Sequence, residues 1–485
     1  MKRGDLMIKF GTGGWRAIIA EDFTFYNVKL VGKAMARFLK ENDYKKKVVV
    51  GHDFRFLSGR FSRALSESLV EEGIEVMFME EAAPTPMVML AVEENNLHLG
   101  ASITASHNSA EYNGIKIFVE EGRDAPEHVT DRLEELAAEI GDYDYQRGSF
   151  FELIKAGKIT YYNNKNQYID SLLELIDEEL IQSKNFKILF NPMYGVAKDI
   201  MMMCLASLRC YVDTMNAYRD TMFGLDIPSP NREQLGDMEI RIEKGKYDFG
   251  LATDGDSDRM ALIDESGKFV DYNDVLKLLY YYLKEYRNES GGIVRNIATT
   301  HILDEMADYY GEAAYEVPVG FKNISQKMQQ HDLLLGGESS GGLKIRGHVN
   351  GKDGILASLL AVEMMARTGK KIGEILAEIE EKFGSLYFSY SNFDYQPSQR
   401  KRLETMLFED NYQPDLSTLI ENDSISDKKL LKTSYLDGVK YYYDDQCWIS
   451  IRFSGTEPLL RIYMEMKNEA EVEEILNFLK NDLGI

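Results

Sequence analysis

Short apolar runs alternate with amphipathic segments along most of this chain. Residues 47–53 have the apolar, β-branched composition of a buried strand, and residues 74–79 form the next such run. Between them, Ser58 is predicted to cap a helix that continues to about Glu72 and ends before Gly73. A strand, a helix and a strand in this order predict a parallel strand pair joined by a covering helix.

The same alternation continues to about residue 370. Further strands are predicted at 100–104, 187–190, 211–213, 248–252 and 292–297, and further helices at 86–96, near 195–208 and at 276–286. The last hundred residues differ, because they contain antiparallel-looking strands and a closing helix from Ala470. These strands are predicted at 439–443, 448–452 and 460–464. No repeat of fixed period is evident, although three similar α/β units in a row would suit a triplicated architecture.

The chain is long enough for several domains. A length of 485 residues exceeds what one hydrophobic core supports and suggests about three or four domains. The predicted domains are 1–150, 158–265, 266–372 and 385–485. The predicted fold class is therefore α/β, with three similar α/β units followed by a different C-terminal unit.

Cysteine content and charge restrict the class of protein. The 3 cysteines, at 204, 210 and 447, show no paired metal-type spacing, which favours packing roles in a reducing compartment. No run resembles a signal peptide or a membrane span, so a soluble, cytoplasmic protein is expected. The formal net charge of -24 argues against nucleic acid or a membrane as partner. A small anionic substrate remains compatible, since distant charges are screened beyond about 8 Å.

An acidic turn is the strongest chemical signal. Three carboxylates and an arginine lie within six residues: Asp254, Asp256, Asp258 and Arg259. Carboxylates held this close require a cation, and hard oxygen ligands suit Mg²⁺ or Ca²⁺. An EF-hand calcium loop is one alternative, since Glu265 falls at its twelfth position. However, such a loop needs glycine at its sixth position, where Arg259 stands here, and it needs helices on both flanks. Here the flanks 247–253 and 260–263 have the composition of buried strands, which also disfavours a merely solvated acidic turn.

A serine loop follows another predicted strand. Residues 104–108 read Thr-Ala-Ser-His-Asn, and loops at the carboxyl ends of parallel strands are where such folds hold their sites. The Ser106 hydroxyl could attack phosphorus or carbon, although such clusters are also ordinary turn chemistry. Lys116 could return an ammonium to the same mouth. A nearby metal would offset the charge of roughly −1.5 to −2 that a phosphorylated serine carries.

The segment 336–342 is rich in glycine and has Glu338 at its centre. Glycine lets the backbone approach a ligand closely, and a glutamate suits paired hydrogen bonds to sugar hydroxyls. A flexible loop is an equally good interpretation of these seven residues alone. Several donors follow closely: Lys344, Arg346, His348 and Lys352.

Two arginine-containing turns lie near the ends of the chain. The turn after Arg452 combines a guanidinium, two hydroxyls and a glycine, which together suit an anion. A salt bridge from Arg452 to a neighbouring carboxylate is the alternative. The glycine turn at 11–16 ends in Arg16 and lacks the spacing and the lysine of a P-loop.

Together these segments resemble the α-D-phosphohexomutase family, and within it the bacterial phosphoglucomutases and phosphoglucomutase/phosphomannomutases. Four motifs stand in the family's order and at about its separations: 103–108, 254–259, 337–341 and 452–456. The segments 11–16 and 319–322 are also similar to family segments, so the resemblance covers essentially the whole chain.

The resemblance implies three α/β/α domains and a TATA-binding-protein-like C-terminal α+β domain around a central cleft. It implies Mg²⁺ as cofactor and glucose 1,6-bisphosphate as activator. The implied metal ligands are phosphorylated Ser106, Asp254, Asp256 and Asp258. The implied catalytic residues are Ser106, His107, Arg16, Lys116, Arg259 and Lys352. The implied substrate-binding residues are Gly320, Lys322, Glu338 and Ser340, with Arg452, Ser454, Gly455 and Thr456 holding the distal phosphate.

Two positions depart from the family pattern. Ser109 stands where the serine loop often has proline, which would loosen the loop slightly. Gly342 stands where the mannose and glucosamine branches often have histidine, which favours glucose. The general acid/base stays unassigned among Lys116, His107 and Lys352.

The predicted function is the reversible interconversion of glucose 1-phosphate and glucose 6-phosphate by an isomerase that carries a phosphoserine. A phosphomannomutase or a dual glucose/mannose mutase is the alternative within the family, followed by a phosphoglucosamine mutase. A metal-dependent sugar phosphatase and a non-catalytic sugar-phosphate sensor are the alternatives from other classes. The expected partners are small sugar phosphates, and a monomer or a homodimer is expected.

Overall fold

The computed structural model describes residues 8–11, 13–145, 148–419, 425, 427–454 and 458–485. The chain divides into two compact units. The first contains Met1–Val275 and Ser340–Ile375, and the second contains Leu276–Ser339 and Leu376–Ile485. Within the described residues, no helix is both long enough and apolar enough to cross a bilayer.

The N-terminal region has the predicted alternation of strands and helices. Its strands are β1 (Trp15–Ile18), β2 (Lys47–His52), β3 (Glu75–Met79), β4 (Leu99–Ile103), β5 (Tyr112–Val119), β6 (Arg123–Asp124) and β7 (Ile159–Tyr162). Its helices are α1 (Phe25–Glu41), α2 (Ser58–Glu71), α3 (Thr85–Glu94), α4 (Glu127–Ile140) and α5 (Phe150–Lys155). The strand order is β1-β5-β4-β2-β3-β7, with β4, β2, β3 and β7 parallel and β5 antiparallel to both of its neighbours in this order. The carboxyl ends of β2, β3 and β4 therefore meet at one sheet edge.

The start of α2 corrects one prediction. Ser58 is already the first helical residue, and Leu57 occupies the cap position in a left-handed conformation without a side-chain cap. The Ser58 hydroxyl instead donates to Asp53 Oδ1 at 2.7 Å. The Ser58 oxygen accepts from Asn113 Nδ2 at 2.9 Å, so the acceptor that a cap would offer to the first helical amides is used by a side chain distant in the sequence.

The second region repeats the α/β pattern. Its strands are β8 (Lys187–Asn191), β9 (Tyr211–Thr214), β10 (Phe249–Thr253), β11 (Met260–Ile263) and β12 (Phe269–Val270). Its helices are α6 (Lys165–Leu173), α7 (Glu178–Gln182), α8 (Lys198–Ser207) and α9 (Gly236–Gly245). Strands β10, β8 and β9 are parallel, and β11 returns antiparallel to β10. Helix α8 begins at Lys198, later than the predicted start near residue 195.

The third region spans both units. Its strands are β13 (Ile293–Asn296), β14 (Ala314–Val317), β15 (Leu335–Gly337) and β16 (Leu343–Ile345). Its helices are α10 (Tyr272–Glu285), α11 (Ile302–Tyr309), α12 (Phe321–His331), α13 (Gly354–Thr368) and α14 (Ile372–Phe383). In the second unit, β14, β13 and β15 form parallel neighbours. Strand β16 and helix α13 belong to the first unit.

The C-terminal region differs in topology, as predicted. Its strands are β17 (Tyr387–Asp394), β18 (Leu430–Ser434), β19 (Val439–Tyr443), β20 (Trp448–Phe453) and β21 (Leu459–Met466), and its helices are α15 (Arg400–Glu404) and α16 (Glu469–Leu483). The strands are antiparallel in the order β17-β21-β20-β19-β18. Buried Tyr441, Ile449, Ile462 and Leu479 form part of the core between this sheet and α16. The predicted fold class is confirmed.

Candidate active site

The acidic segment forms the turn between β10 and β11. Because Thr253 pairs with Met260 across this hairpin, the six residues between them, 254–259, make a tight reversal. The side chains of Asp254, Asp256 and Asp258 are buried, and one carboxylate oxygen from each lies within 4.8 Å of the others. Like charges this close and this dry repel one another unless a cation or a proton lies between them.

The oxygen atoms of this turn fit a divalent cation. Asp256 Oδ1 and Asp258 Oδ1 are buried and receive no hydrogen bond from the described part of the chain. Burial and the charges of Asp258 and Asp256 raise the pKa of Asp254 well above its ordinary value. Carboxylate oxygens with open lone pairs are the ligands that Mg²⁺ and Ca²⁺ prefer. The donor set is therefore suited to a hard divalent ion.

Two lysines partly neutralise the aspartates. Lys116, on β5, places Nζ 2.6 Å from Oδ2 of both Asp256 and Asp258. Lys352 Nζ lies 3.0 Å from Asp258 Oδ2. Burial lowers the pKa of Lys116, but Asp256 and Asp258 outweigh burial and hold this pKa above its ordinary value. Lys116 is thus a fixed ammonium at the mouth of the serine loop.

Ser106 lies directly against the acidic turn. Its Oγ donates to Asp254 Oδ2 at 2.9 Å and lies 3.3 Å from His107 Nδ1. Its backbone is left-handed, with φ 52°, a conformation that costs a non-glycine residue on the order of 1–3 kcal/mol. Gly255 permits the close approach, because a Cβ there would lie 2.8 Å from the Ser106 carbonyl oxygen. The fold therefore holds Ser106 in a strained backbone conformation that places its hydroxyl against the candidate metal site.

Two arginines contact the serine loop and the acidic turn. Arg16 Nη1, from β1, donates to Asn108 Oδ1 at 2.7 Å. The Arg259 backbone amide donates to Asp254 Oδ1 at 3.1 Å, and its Nε lies 3.9 Å from Asp258 Oδ1. Burial, Arg259 and Arg16 lower the pKa of His107 well below its ordinary value, so this imidazole is neutral near pH 7. The surroundings of Ser106 therefore combine cations with one neutral base.

Sequence reasoning missed three buried residues of this site: Arg55, Thr85 and Asp353. Thr85 Oγ1 donates to Asp256 Oδ2 at 2.6 Å. Asp353 caps α13 and accepts from Tyr168 at 2.6 Å, directly after Lys352 in the chain. Arg55 contacts the backbone of the serine loop. The available signal was positional, because Arg55 and Thr85 follow closely on the carboxyl ends of the parallel strands β2 and β3.

The donors that follow the glycine-rich segment have protein partners. Lys344 Nζ donates to Asn350 Oδ1 at 2.6 Å, and burial lowers the pKa of Lys344 to about 8. His348 Nε2 lies 2.7 Å from Asp353 Oδ2. Arg346 is half-buried. Lys352 contacts the acidic turn through Asp258.

The predicted sugar-loop residues fall in both units. Within the second unit, Glu338 Oε1 accepts from Asn296 Nδ2 at 2.9 Å and from the Gly320 amide at 3.2 Å. Lys322 is the second residue of α12. Glu338 and Gly320 are thus brought together, whereas Ser340 belongs to the first unit.

The predicted distal phosphate site lies on the C-terminal sheet. Arg452, on β20, places Nη2 2.9 Å from Asp437 Oδ2, which is the salt bridge that the sequence left open as an alternative. Asp437 Oδ2 also accepts from the Val319 amide at 2.9 Å. Ser454 Oγ accepts from Arg461 Nη2 at 3.4 Å. The predicted residues Gly455 and Thr456 lie outside the described residues.

The fold and this site define a class: a multidomain α/β protein in which a strained serine lies on a buried acidic turn. Models of the phosphoglucomutase/phosphomannomutase family match α/β/α domain I at residues 7–144, domain II at 166–267, domain III at 271–383 and the C-terminal domain at 418–481. The chain belongs to this family, the α-D-phosphohexomutases.

The names of similar proteins refer to different sugar phosphates. A phosphoglucomutase/phosphomannomutase of Thermococcus kodakarensis is 32% identical over 479 residues, 98% of this chain and 97% of the relative. A phosphoglucosamine/phosphogalactosamine mutase of Sulfurisphaera tokodaii is 28% identical over 478 residues, 97% of this chain and 98% of the relative. The crystal structure of a phosphomannomutase-like protein from Thermus thermophilus matches with a TM-score of 0.84 at 28% identity, over 99% of both chains. Family membership implies an isomerase that works by phosphoryl transfer.

Proposed function

We propose that the protein interconverts glucose 1-phosphate and glucose 6-phosphate through a phosphorylated Ser106 and a glucose 1,6-bisphosphate intermediate. The observation that carries this proposal is the position of Ser106 Oγ, 2.9 Å from Asp254 in a buried acidic turn. A serine that only stabilised a turn would not need a strained backbone beside three carboxylates. A serine that carries a phosphoryl group needs a cation at this place.

The proposed transfer balances as two exchanges. The bond from phosphorus to Ser106 Oγ breaks as a bond from phosphorus to the free sugar hydroxyl forms, and the hydroxyl proton goes to a general base. The Ser106 oxygen takes up a proton as it leaves. In the second exchange the bond from the other phosphorus to its sugar oxygen breaks as a bond from that phosphorus to Ser106 Oγ forms, and the serine proton passes to the released sugar oxygen. Lys116, Arg16 and Arg259 supply positive charge next to the transferred group, which is the main demand of phosphoryl transfer.

The general base is proposed from the three candidates of the sequence. His107 Nδ1 lies 3.3 Å from Ser106 Oγ, while Lys116 and Lys352 are bound to carboxylates. This geometry favours His107 over the two lysines for proton exchange with the Ser106 oxygen, because a neutral imidazole nitrogen has a lone pair and an ammonium has none.

Asp254, Asp256, Asp258 and phosphorylated Ser106 are proposed to hold Mg²⁺. When bound, the ion supplies neutralisation of the phosphoryl charge. The residues themselves do the remainder: Thr85 and Lys116 orient the carboxylates, and the Asp254 carboxylate orients the serine hydroxyl.

Residues of the second unit are proposed to recognise the sugar phosphate. Glu338 has two carboxylate oxygens for sugar hydroxyls and accepts from the Gly320 amide, and Lys322 follows Gly320 on α12. Arg452 and Ser454, with Gly455 and Thr456, would bind the distal phosphate, and Ser340 would assist from the glycine-rich segment. Because either end of the sugar can be the distal one, a single such phosphate site serves both halves of the reaction.

The proposal also specifies which sugar phosphate the protein prefers. Gly342 in place of histidine favours glucose over mannose. The Sulfurisphaera tokodaii relative, named for glucosamine and galactosamine phosphates, supports phosphoglucosamine mutase as a second candidate function. The test is to give the purified protein Mg²⁺ and a trace of the matching bisphosphate with glucose, mannose or glucosamine 1-phosphate in parallel. The highest initial rate on the glucose substrate is expected, and a faster amino-sugar or mannose reaction would reassign the protein within the family.

Ser106→Ala tests the reaction itself. The variant should lose mutase turnover and phosphate labelling while it keeps the wild-type circular dichroism and melting temperature. Ser109→Ala, in the same loop, is the matched control and should retain activity. Release of inorganic phosphate at the rate of substrate loss would indicate a phosphatase instead, and saturable binding without isomer exchange would indicate a sensor.

A further inference from the structure

Arg55 is a fully buried arginine that lies just beyond β2, at the carboxyl edge of the first sheet. Its guanidinium donates to backbone carbonyl oxygens of the serine loop at four positions. These are Ser106 at 2.6 Å, Asn108 at 2.5 Å, Ser109 at 2.8 Å and Tyr112 at 3.2 Å. One side chain therefore holds most of the backbone between the reacting serine and the start of β5.

The guanidinium is itself fixed from other sides. Asp53 Oδ2 lies 3.4 Å from Arg55 Nε, and Asp53 Oδ1 accepts from the Arg55 amide at 2.9 Å and from Ser58 at 2.7 Å. The ring of Phe223 lies 4.8 Å from the Arg55 guanidinium carbon, in cation–π range. Asp53 is in turn bound to the end of β4 through its backbone amide and the Ile103 carbonyl at 3.1 Å. The loop is therefore anchored to two strands of the rigid sheet.

This anchoring bears on the orientation of Ser106. Its left-handed backbone is disfavoured intrinsically, so the loop would relax if the carbonyl groups were released. Release would turn the Cα–Cβ bond and move Oγ away from Asp254. No other side chain replaces Arg55 well: lysine offers donors from a single point, whereas arginine offers five in a planar fork.

We propose that Arg55 is a positioning residue for phosphoryl transfer, which holds the serine loop in the conformation that aims Ser106 Oγ at the metal site. The inference rests on the proposed role of Ser106 as phosphoryl carrier. Arg55 acts through the backbone and touches neither substrate nor metal. Its effect belongs to the transfer step and not to substrate affinity.

The test compares Arg55→Lys and Arg55→Met with Arg63→Lys, a control arginine on α2 that packs over Phe150 and Phe151. The measurements are kcat, KM, the melting temperature and the single-turnover rate at which ³²P-labelled glucose 1,6-bisphosphate labels Ser106. We expect the labelling rate and kcat of Arg55→Lys to fall about 100-fold, because a misplacement of about 1 Å costs that much. KM and the folded fraction should be unchanged, and Arg63→Lys should match the wild type.

The outcomes separate this inference from the proposed function. If the wild type is not labelled on Ser106, the phosphoserine proposal is wrong, and the inference on Arg55, which depends on it, is wrong as well. If the wild type is labelled and a folded Arg55→Lys is labelled equally fast, only the inference on Arg55 is overturned. A loss of kcat that follows the loss of folded protein also overturns it, because Arg55 would then be merely structural.

A milder variant keeps the inference testable if both Arg55 variants fail to fold. Asp53→Asn retains the shape of the anchor and removes its charge, so Arg55 is held less firmly. The labelling rate should then fall while the melting temperature stays close to that of the wild type. Wild-type labelling by a folded Asp53→Asn would contradict the proposal.

Discussion

Lys116 shows how one side chain balances this site. Its ammonium bridges two of three buried aspartates, and its pKa stays above the ordinary value because those carboxylates outweigh burial. A cation bound at the proposed site would share with Lys116 the neutralisation of the turn. Removing the partner of a buried charge costs about 3–5 kcal/mol, much more than losing a surface ion pair.

Lys116→Met should therefore destabilise the protein by about 3 kcal/mol when Mg²⁺ is absent, and by clearly less at saturating Mg²⁺. Denaturant unfolding with EDTA and with Mg²⁺ measures the difference. Lys165→Met, which removes an exposed ion pair with Glu81, is the control and should show little effect in either condition. An equal loss with and without Mg²⁺ would contradict the shared neutralisation.

Lys440 is a second buried ammonium, in the other unit. Its Nζ lies 2.7 Å from Glu316 Oε2, 2.9 Å from His301 Nε2 and 4.0 Å from the centre of the Trp448 ring. Burial and Arg295 lower the pKa of Lys440 to about 7. The unfolded chain, with an ordinary lysine, then binds more protons than the folded chain between about pH 7 and pH 10.

Stability from this residue should therefore rise as pH increases from 7 to 9 and be lost as pH falls back towards 7. The slope should approach but not exceed about 1.4 kcal/mol per pH unit. The measurement is the unfolding free energy of the wild type minus that of Lys440→Met across this range. A difference that is flat or falls with pH would show that the folded-state pKa is not lowered.

At the scale of elements, the start of α13 joins several parts of the first unit. Asp353 Oδ1 caps the helix by accepting from the Ile355 amide at 2.8 Å and the Leu356 amide at 3.0 Å. Its other oxygen accepts from Tyr168 at 2.6 Å and lies 2.7 Å from His348. The same residue follows Lys352, so the cap also fixes where that ammonium meets Asp258.

Asp353→Ala should lower stability by about 2–4 kcal/mol, because it removes a helix cap and leaves the buried Tyr168 hydroxyl unpaired. Tyr168→Phe, which removes one hydrogen bond and keeps the cap, should cost about 1 kcal/mol. Chemical denaturation of both variants measures the two losses. Equal losses would mean that the cap itself contributes nothing.

At the scale of the whole molecule, the chain builds separate cores in two units. The α1, α2 and α4 helices pack their apolar faces on the first sheet, and the C-terminal sheet packs on α16. The aspartate turn, Ser106 and Lys116 all belong to the first unit. Chains with several cores commonly unfold in more than one step.

Calorimetry should therefore resolve more than one unfolding transition. Mg²⁺ should raise the midpoint temperature of the first unit's transition only. A ligand at about 100 times its dissociation constant increases the unfolding free energy of the folded unit that binds it by about 2.7 kcal/mol. Asp256→Asn should abolish this shift without moving the other transition. A Mg²⁺ shift that persists in this variant would place the ion elsewhere.

Much of the fold and the centre of the site follow from local patterns. The strands at 249–253 and 260–263 were predicted from short apolar runs, and the acidic turn between them from its own composition. Thr85 could not be predicted in the same way, because its partner Asp256 lies 171 residues further along the chain. Arg55 was not predicted either, because its first carbonyl partner, Ser106, lies 51 residues further along the chain. The prediction of a Ser58 cap is wrong for a related reason, since the Ser58 oxygen accepts from Asn113, 55 residues further along the chain.

The sequence alone determined the order of the elements, the change of topology near the C-terminus and the residues that carry the chemistry. These depend on hydrophobic periodicity and turn composition, which are properties of neighbouring residues. Only the tertiary structure decided three features. These are the left-handed backbone of Ser106, the ion pairs of Lys116 with Asp256 and Asp258, and the hydrogen bonds from Arg55 to four carbonyl groups. Such features require groups distant in the chain to meet in a dry interior, where a charge without a partner is costly and its pairing is therefore specific.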